Sequence, residues 1–172
     1  MRKLKVNRVT GIIVIVLSYI VSGIFFVGCN NMSNIKSTEL NNIYVDNLNI
    51  GSSIKKINLN KYTESNNYLG DYTCKFEELI IDSKDNKINY LFGRFDENRT
   101  VISVNSRRNL RSINEVSDIL GENYKEKWKD RELKLKEHVY FDNRNNIKAE
   151  FIYSIFDDSL VWVILSKMNE EQ

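Results

Sequence analysis

The chain has 172 residues, of which 28% are charged and 42% are hydrophobic, with no proline, one histidine and two cysteines. This length suits one ordinary domain or two small ones. The composition excludes a collagen, a disulfide-stapled miniprotein and a multispan membrane protein. The net charge is +2, but four cations lie in the first eight residues. Residues 29–172 carry 21 cations and 23 anions, a net charge of −2, which excludes a basic nucleic-acid-binding domain.

The N-terminus combines a cationic start with a long apolar run. Two arginines and two lysines precede residues 11–27, which contain no charged side chain. Such a segment partitions into a bilayer and keeps its positive end in the cytoplasm. The run ends at Gly28 and Cys29, and polar Asn30 and Asn31 follow at once.

These residues resemble the signal peptide and lipobox of bacterial lipoproteins. The resemblance implies that residues 1–28 are removed by cleavage after Gly28 and that the Cys29 sulfur is acylated. Phe26 departs from the leucine usual at its position. An uncleaved anchor and an ordinary secretory signal are the alternatives, because the run is long enough to span the hydrocarbon core. All three place the domain on the extracytoplasmic face of the cell membrane, or at the outer membrane of a Gram-negative cell.

The rest of the chain predicts a tether and an α+β domain. Residues 29–42 are polar and aperiodic after the cysteine, as in a flexible tether, and residues 43–172 form the domain. Two similar halves, 43–106 and 107–168, each predict a short helix followed by a three-stranded antiparallel meander. The expected fold is therefore two tandem helix-plus-meander units, with sheets covered by short helices.

The elements of both halves follow from local patterns. A first helix is predicted over 52–59, where two isoleucines are three apart. Ser112 and Glu115 have the spacing of a capping box, and Gly121 suits the end of the second helix. The last strand, 160–165, should be central because both of its faces are apolar. The other predicted strands are 76–81, 88–95, 101–104, 138–141 and 147–156.

Three aromatic side chains are candidates for binding a partner: Trp128, Tyr153 and Trp162. Trp162 lies on the two-sided apolar strand, whose second face either packs on another layer or docks a protein. Trp128 lies in residues 124–136, where charges alternate. That segment fits a solvated edge strand protected by lysines, with contact to anionic lipid headgroups as the alternative.

Patterns of catalytic or metal-binding residues are weak. The sequence has no phosphate-binding glycine loop, nucleophile elbow or zinc-binding spacing, so no catalytic residue, metal or cofactor is predicted. Cys74 fits a small strand residue better than a catalytic thiolate, since no peptidase signature surrounds it or His138. The acidic segments 82–86 and 157–158 fit hairpin turns better than calcium loops. An envelope hydrolase with an unidentified carboxylate pair is the alternative function, since two acids a few ångströms apart suffice.

The tandem plan also resembles the β-lactamase-inhibitor-protein-like group and the small BamE-type envelope lipoproteins. The matching stretches are a short helix at Ile113–Gly121 and a meander from Val139 to Leu165, with a looser repeat at Ile54–Val104. These families bind proteins through a sheet surface and have no catalytic centre. The resemblance implies a membrane-anchored, non-enzymatic lipoprotein that serves as an inhibitor, immunity or accessory module. Its partners would be the bilayer, through Cys29, and an envelope protein or peptide.

Acylation of Cys29 can be tested by metabolic labelling with palmitate. We expect the native chain to incorporate label and Cys29→Ser to incorporate none, because the thiol is the acceptor. Cys74→Ser is the matched control and should label like the native chain. Equal labelling of the Cys29→Ser variant would contradict the lipobox assignment.

Overall fold

A computed structural model describes residues 35–65, 70–95 and 100–168 of the chain. The predicted signal peptide, with Gly28 and Cys29, lies outside the described residues, so its assignment stays a prediction. Within the described part of the chain, no helix is long and apolar enough to cross a membrane.

β-Strands dominate the described residues. They are β1 (Ile43–Val45), β2 (Cys74–Lys75), β3 (Leu79–Lys84), β4 (Lys87–Arg94), β5 (Ile102–Val104), β6 (Arg107–Arg108), β7 (Lys125–Asp130), β8 (Leu135–Asp142), β9 (Ile147–Ser154) and β10 (Leu160–Lys167). A small sheet has the order β1-β5-β6, and a large sheet has the order β2-β3-β4-β10-β9-β8-β7. All strand pairs are antiparallel. The described residues contain one α-helix, α1 (Ile113–Leu120).

The predicted α+β class is therefore wrong, and the fold is mostly β. In place of the first predicted helix, the chain forms two 3₁₀ turns, Ile54–Lys56 and Leu59–Lys61. The two isoleucines of this segment are three apart, which matches a 3₁₀ repeat, whereas an α-helix needs an apolar stripe at spacings of three and four. The Ser53 hydroxyl caps the first turn by accepting a hydrogen bond from the Lys55 amide, and the backbone is extended again at Ile57.

The tandem arrangement is also wrong, because the third strands of the two halves enter different sheets. In the first half, β5 pairs with β1 in the small sheet, where Val104 lies opposite Ile43. In the second half, β10 lies between β9 and β4 in the large sheet. The meander β7–β10 is therefore continuous with the hairpin β3–β4. One large sheet contains strands from both halves, so residues 43–106 and 107–168 do not form two separate sheets in the described part of the chain.

Strand β10 is central in the large sheet, as its two apolar faces predicted. Val163 and Leu165 lie on one face of the sheet, which we call the inner face, and Trp162 and Ile164 lie on the opposite, outer face. A β-bulge between Leu160 and Trp162 shifts the register. Leu160 consequently lies with the inner-face residues, although simple alternation would place it with Trp162.

The hydrophobic core lies on the inner face. Buried side chains of the small sheet, of α1 and of the large sheet form one cluster there. Val45 of β1 lies directly over Gly93 of β4, since a Cβ atom at position 93 would come within 2.7 Å of Val45 Cγ1. Four buried hydrophobic side chains stay outside this cluster, and all of them belong to the outer face: Ile80, Leu135, Val139 and Ile152.

Helix α1 begins and ends where the sequence predicts. The Ser112 hydroxyl accepts a hydrogen bond from the Glu115 amide, and the Glu115 carboxylate accepts one from the Ser112 amide, which is the predicted capping box. Gly121 follows with a φ of 78°, a backbone conformation that glycine adopts with little strain. The helix buries three side chains in the core: Ile113, Val116 and Leu120.

We expect Gly93→Ala to destabilise the fold, because the added methyl group would collide with the Val45 side chain. The free energy of unfolding should fall by about 1–3 kcal/mol, as for other overpacked cores, and chemical denaturation measures it. Val45→Ala makes room for that methyl group. Adding Val45→Ala to Gly93→Ala should therefore cost less than the sum of the two single changes. Additive losses would show that the two residues do not pack on each other.

Candidate functional site

Two neighbouring turns at one end of the large sheet expose large apolar side chains. Turn 131–134 joins β7 to β8, and turn 155–159 joins β9 to β10. The Ile155 amide donates a hydrogen bond to the Lys134 carbonyl at 3.2 Å and so links the two turns. The exposed large hydrophobic side chains of the described chain all lie on these turns or on the adjoining strand β7: Trp128, Leu133, Ile155 and Phe156. We call these four residues the apolar tip.

The exposure at the apolar tip is large. Phe156 is 79% exposed and Leu133 is 62% exposed. Phe156 belongs to an ordered turn, because the Asp157 carboxylate accepts a hydrogen bond of 2.7 Å from the Ser159 hydroxyl. Single apolar side chains on a surface are common, but a group of them at one place is typical of a site of association. The apolar tip is therefore the strongest candidate for a binding site.

The N-terminal segment of the described chain packs at the opposite end of the sheet. The Thr38 amide donates to the Phe141 carbonyl at 2.8 Å, and the Leu40 amide donates to Asp142 Oδ2 at 2.9 Å. The last residues of the predicted tether thus pack on the domain. Strand β8 runs from Leu135, beside the apolar tip, to Asp142 at this end, and a strand of that length spans about 25 Å. The chain therefore enters the domain a full strand length away from the apolar tip.

The three aromatic residues predicted to bind a partner do not share one surface. Trp128 belongs to the apolar tip and is 39% exposed. Tyr153 is buried on the inner face, and its hydroxyl donates to Glu126 Oε2 at 2.8 Å. Trp162 is half-buried on the outer face, where its ring centroid lies 6.4 Å from that of Phe92.

Sequence reasoning missed the other three residues of the apolar tip. The strand prediction 147–156 placed Ile155 and Phe156 in a strand by alternation, and Leu133 sits alone among charged residues. A usable signal exists in the turn-forming run from Asp157 to Ser159. Because β9 ends at Ser154, just before this run, Ile155 and Phe156 belong to the turn and are exposed.

His138 is the centre of a buried polar cluster beside α1. It is 5% exposed, and the ring of Tyr124 stacks on the imidazole with 3.6 Å between centroids. His138 Nε2 lies 3.4 Å from Glu126 Oε2. His138 Nδ1 lies 3.4 Å from the hydroxyl of Ser117 on α1. A serine, a histidine and a carboxylate are thus in line, as in a nucleophilic triad.

The groups of this line have structural partners at every step, although the Glu126 side chain is 41% exposed. Ser117 Oγ also lies 3.4 Å from the Tyr140 hydroxyl, and Lys136 Nζ donates to Glu126 Oε1 at 2.5 Å. A base that activates a nucleophile lies about 2.6–3.2 Å from it, which is closer than Ser117 lies to the imidazole. The geometry favours a polar packing cluster between α1 and strands β7–β9 over a catalytic centre.

Burial governs the protonation states in this cluster. It lowers the pKa of His138 by more than the Glu126 carboxylate raises it, so the imidazole is neutral at pH 7. Hydrogen bonds from Lys136 and Tyr153 hold the pKa of Glu126 below its ordinary value. Burial raises the pKa of Tyr140 to about 12. The cluster therefore contains a neutral histidine, an ionised glutamate and a neutral Tyr140.

One pair of carboxylates lies on the outer face and bears on the hydrolase alternative. Lys129 Nζ is 3.3 Å from Glu137 Oε2 and 3.6 Å from Glu150 Oε2. Lys127 binds the other Glu137 oxygen at 2.9 Å, and Lys148 binds the other Glu150 oxygen at 2.8 Å. Burial pushes the pKa of Glu150 upward, but the lysines outweigh it and leave this pKa below its ordinary value. A general acid needs a raised pKa, so this glutamate is unsuited to donating a proton.

The remaining sequence candidates have structural roles. Burial raises the pKa of the Cys74 thiol, which disfavours a thiolate nucleophile. Asp85 and Asn86 form the two-residue turn between β3 and β4 with φ values of 54° and 58°, as hairpin turns of this length require. The described residues contain no group of three or more His, Cys, Asp and Glu side chains arranged to bind a metal ion.

No protein-family model matches the chain, and no curated protein or solved structure is significantly similar to it. The predicted resemblance to the β-lactamase-inhibitor-protein-like and BamE-type families is not tested by these comparisons and stays a prediction.

His138 is expected to make folding stability depend on pH between 7.5 and 5.5. Its pKa is lower in the folded than in the unfolded chain, so the unfolded chain binds the proton first and stability falls as pH falls below about 6.5. The free energy of unfolding falls by at most about 1.4 kcal/mol over this range. This is the change produced over one pH unit when the unfolded chain binds one more proton than the folded chain. Chemical denaturation at several pH values measures it.

His138→Gln is the matched variant, because it removes the one histidine of the chain. Carboxylates with lowered pKa values titrate below this pH range, so they do not contribute to the slope. We expect the variant to show a flat profile from pH 7.5 to 5.5, whatever its absolute stability. Equal slopes for the native chain and the variant would contradict a buried, neutral His138.

Proposed function

We propose that this chain is a lipid-anchored, non-enzymatic protein on the extracytoplasmic face of the membrane, and that it binds an envelope protein through the apolar tip. The anchor is the acylated Cys29 predicted from the sequence. The observation that carries the proposed binding is the presence of three exposed apolar side chains on two linked turns, with a fourth, Trp128, on the adjoining strand β7. Aromatic and aliphatic anchors that enter a pocket on a partner supply most of the affinity of a typical protein interface.

The position of the apolar tip supports a role in reaching a partner. The chain enters the domain at the end of β8 where Thr38 and Leu40 are bound. The apolar tip occupies the other end of the same strand. An anchor on one end leaves the other end accessible to a second protein.

The charges of the two turns at the apolar tip favour a protein over an anionic lipid surface. Turns 131–134 and 155–159 carry the cations Arg131 and Lys134 and the anions Glu132, Asp157 and Asp158, a net charge of −1. Loops that insert into anionic membranes are usually basic, because headgroups attract lysine and arginine. We therefore expect a partner with an apolar pocket rather than insertion into a bilayer.

The hydrolase alternative finds no support at the carboxylate pair described above. Glu137 and Glu150 are buried, and three lysines occupy their oxygens. Substrate could reach these carboxylates only by displacing the lysines. The proposal is therefore for binding without catalysis.

Phe156→Asp should weaken partner binding at least tenfold, because it places a charge in the centre of an apolar contact. The partner is first identified by photo-crosslinking from position 156 of the full-length chain in intact cells and is then produced in recombinant form. Its affinity for the native chain and for the variant is measured by surface plasmon resonance. Asn143→Asp at the opposite end of the sheet adds the same charge and should leave the affinity unchanged.

Two results would overturn this proposal. One is an equal loss of affinity in Phe156→Asp and Asn143→Asp, which would indicate a general charge effect. The other is insertion of the tip into lipid. A fluorophore on Phe156→Cys, in a Cys74→Ser background, would then be quenched by quenchers attached to acyl chains in reconstituted vesicles.

A further inference from the structure

Strand β7 is the open edge of the large sheet. It pairs with β8 on one side, and no other described strand pairs with it. Residues 125–129 are all exposed. The opposite edge differs, because β2 is only two residues long and lies beside the bridge between Glu64 and Phe76. Six residues of β7 are long enough to form a backbone ladder with one more strand.

The side chains of β7 divide by charge between the two faces of the sheet. Lys125 and Lys127 lie opposite Val139 and Glu137 and so point to the outer face. Lys129 joins them there, because it contacts the carboxylates of that face. Three lysines of β7 thus lie on the outer face, whereas Glu126 and Trp128 lie on the inner face.

The carboxylates of the outer face do not neutralise these lysines. Glu137 and Glu150 are shared by Lys127, Lys129 and Lys148. Three cations on two anions leave one positive charge. Lys125 adds a second and Asp130, which lies opposite Leu135 on the same face, removes one, so the net charge there is +1. The outer side of this edge therefore attracts negatively charged side chains.

A second copy of the chain is a poor occupant for this edge. When two copies of β7 pair antiparallel over residues 125–129, with their lysines on the same face, Lys127 lies opposite the same lysine of the second copy and Lys125 lies opposite Lys129. Like charges in that position are destabilising, and lysines on an edge strand discourage pairing with an identical strand. The same lysines favour a strand of opposite charge.

We propose that β7 accepts an eighth strand from an extended acidic segment of the partner protein. Acidic residues at every second position of that segment would face Lys125, Lys127 and Lys129. Apolar residues at the intervening positions would lie beside Trp128, which is 39% exposed. Backbone hydrogen bonds then give affinity, and the alternating side chains give specificity. The inference rests on the proposed function in one respect, that the segment belongs to the protein bound at the apolar tip.

Fluorescence anisotropy with labelled nine-residue peptides and the detergent-solubilised full-length chain tests this proposal. The first peptide alternates glutamate with valine and threonine, and the second has the same composition with its glutamates in one block. We expect the alternating peptide to bind at least tenfold more tightly. Lys125→Glu should weaken its binding about tenfold, and Lys84→Glu, at the exposed β3–β4 turn, is the matched control and should have no effect.

Backbone methylation separates strand pairing from charge attraction. Two versions of the alternating peptide carry N-methyl groups on the odd or on the even amides. Only every second amide of an added strand points toward β7, so one version should lose binding and the other should keep it. Equal binding of both versions, or of the alternating and block peptides, would overturn the proposal.

The two proposals can fail separately. If the alternating peptide binds as expected but Phe156→Asp does not weaken the recombinant partner, the edge inference stands and the tip assignment fails. If Phe156→Asp weakens the partner but the alternating peptide does not bind β7, the tip assignment stands and the edge inference fails.

Discussion

The antiparallel pairing of β4 with β10 is the constraint on which the rest of the structure depends. It joins strands from the two halves of the chain through pairs that run from Trp162 opposite Arg94 to Ser166 opposite Tyr90. This pairing makes the inner face continuous, so that one small sheet and one helix can cover it. The close contact of Val45 with Gly93 lies on the same strand β4.

Local signals in the sequence predicted local structure well. The capping box of Ser112 and Glu115 specifies the start of α1 through hydrogen bonds within one turn, so its signal needs no distant partner. The two apolar faces of β10 predicted a central strand, because only a central strand buries both sides. Sheet membership could not be predicted in this way. β5 and β10 each follow a hairpin in their half of the chain, and which strand joins which sheet depends on contacts between residues far apart in the chain.

The candidate site was predicted less well, for three physical reasons. A β-bulge before Trp162 changes which side chains share its face, and no alternation rule reveals a bulge. Burial of His138 depends on cover from Tyr124 and on Ser117 of α1, which alternation within its own strand does not reveal. The exposure of Phe156 follows from β9 ending at Ser154, two residues earlier than its hydrophobic pattern suggests. The charge pattern of β7, in contrast, predicted an edge strand from the sequence alone.

The order of strands along the chain has a consequence for how the protein folds. In the meander β7–β10, each strand pairs with the next one along the chain, across turns of four or five residues. Arg94 and its partner Trp162 are 68 positions apart, and Ile43 and Val104 are 61 apart. Contacts between distant positions form late, because closing long loops costs entropy. The C-terminal meander is therefore expected to nucleate folding. That half is synthesised last, so β4 has no partner strand β10 until the end of the chain has been made.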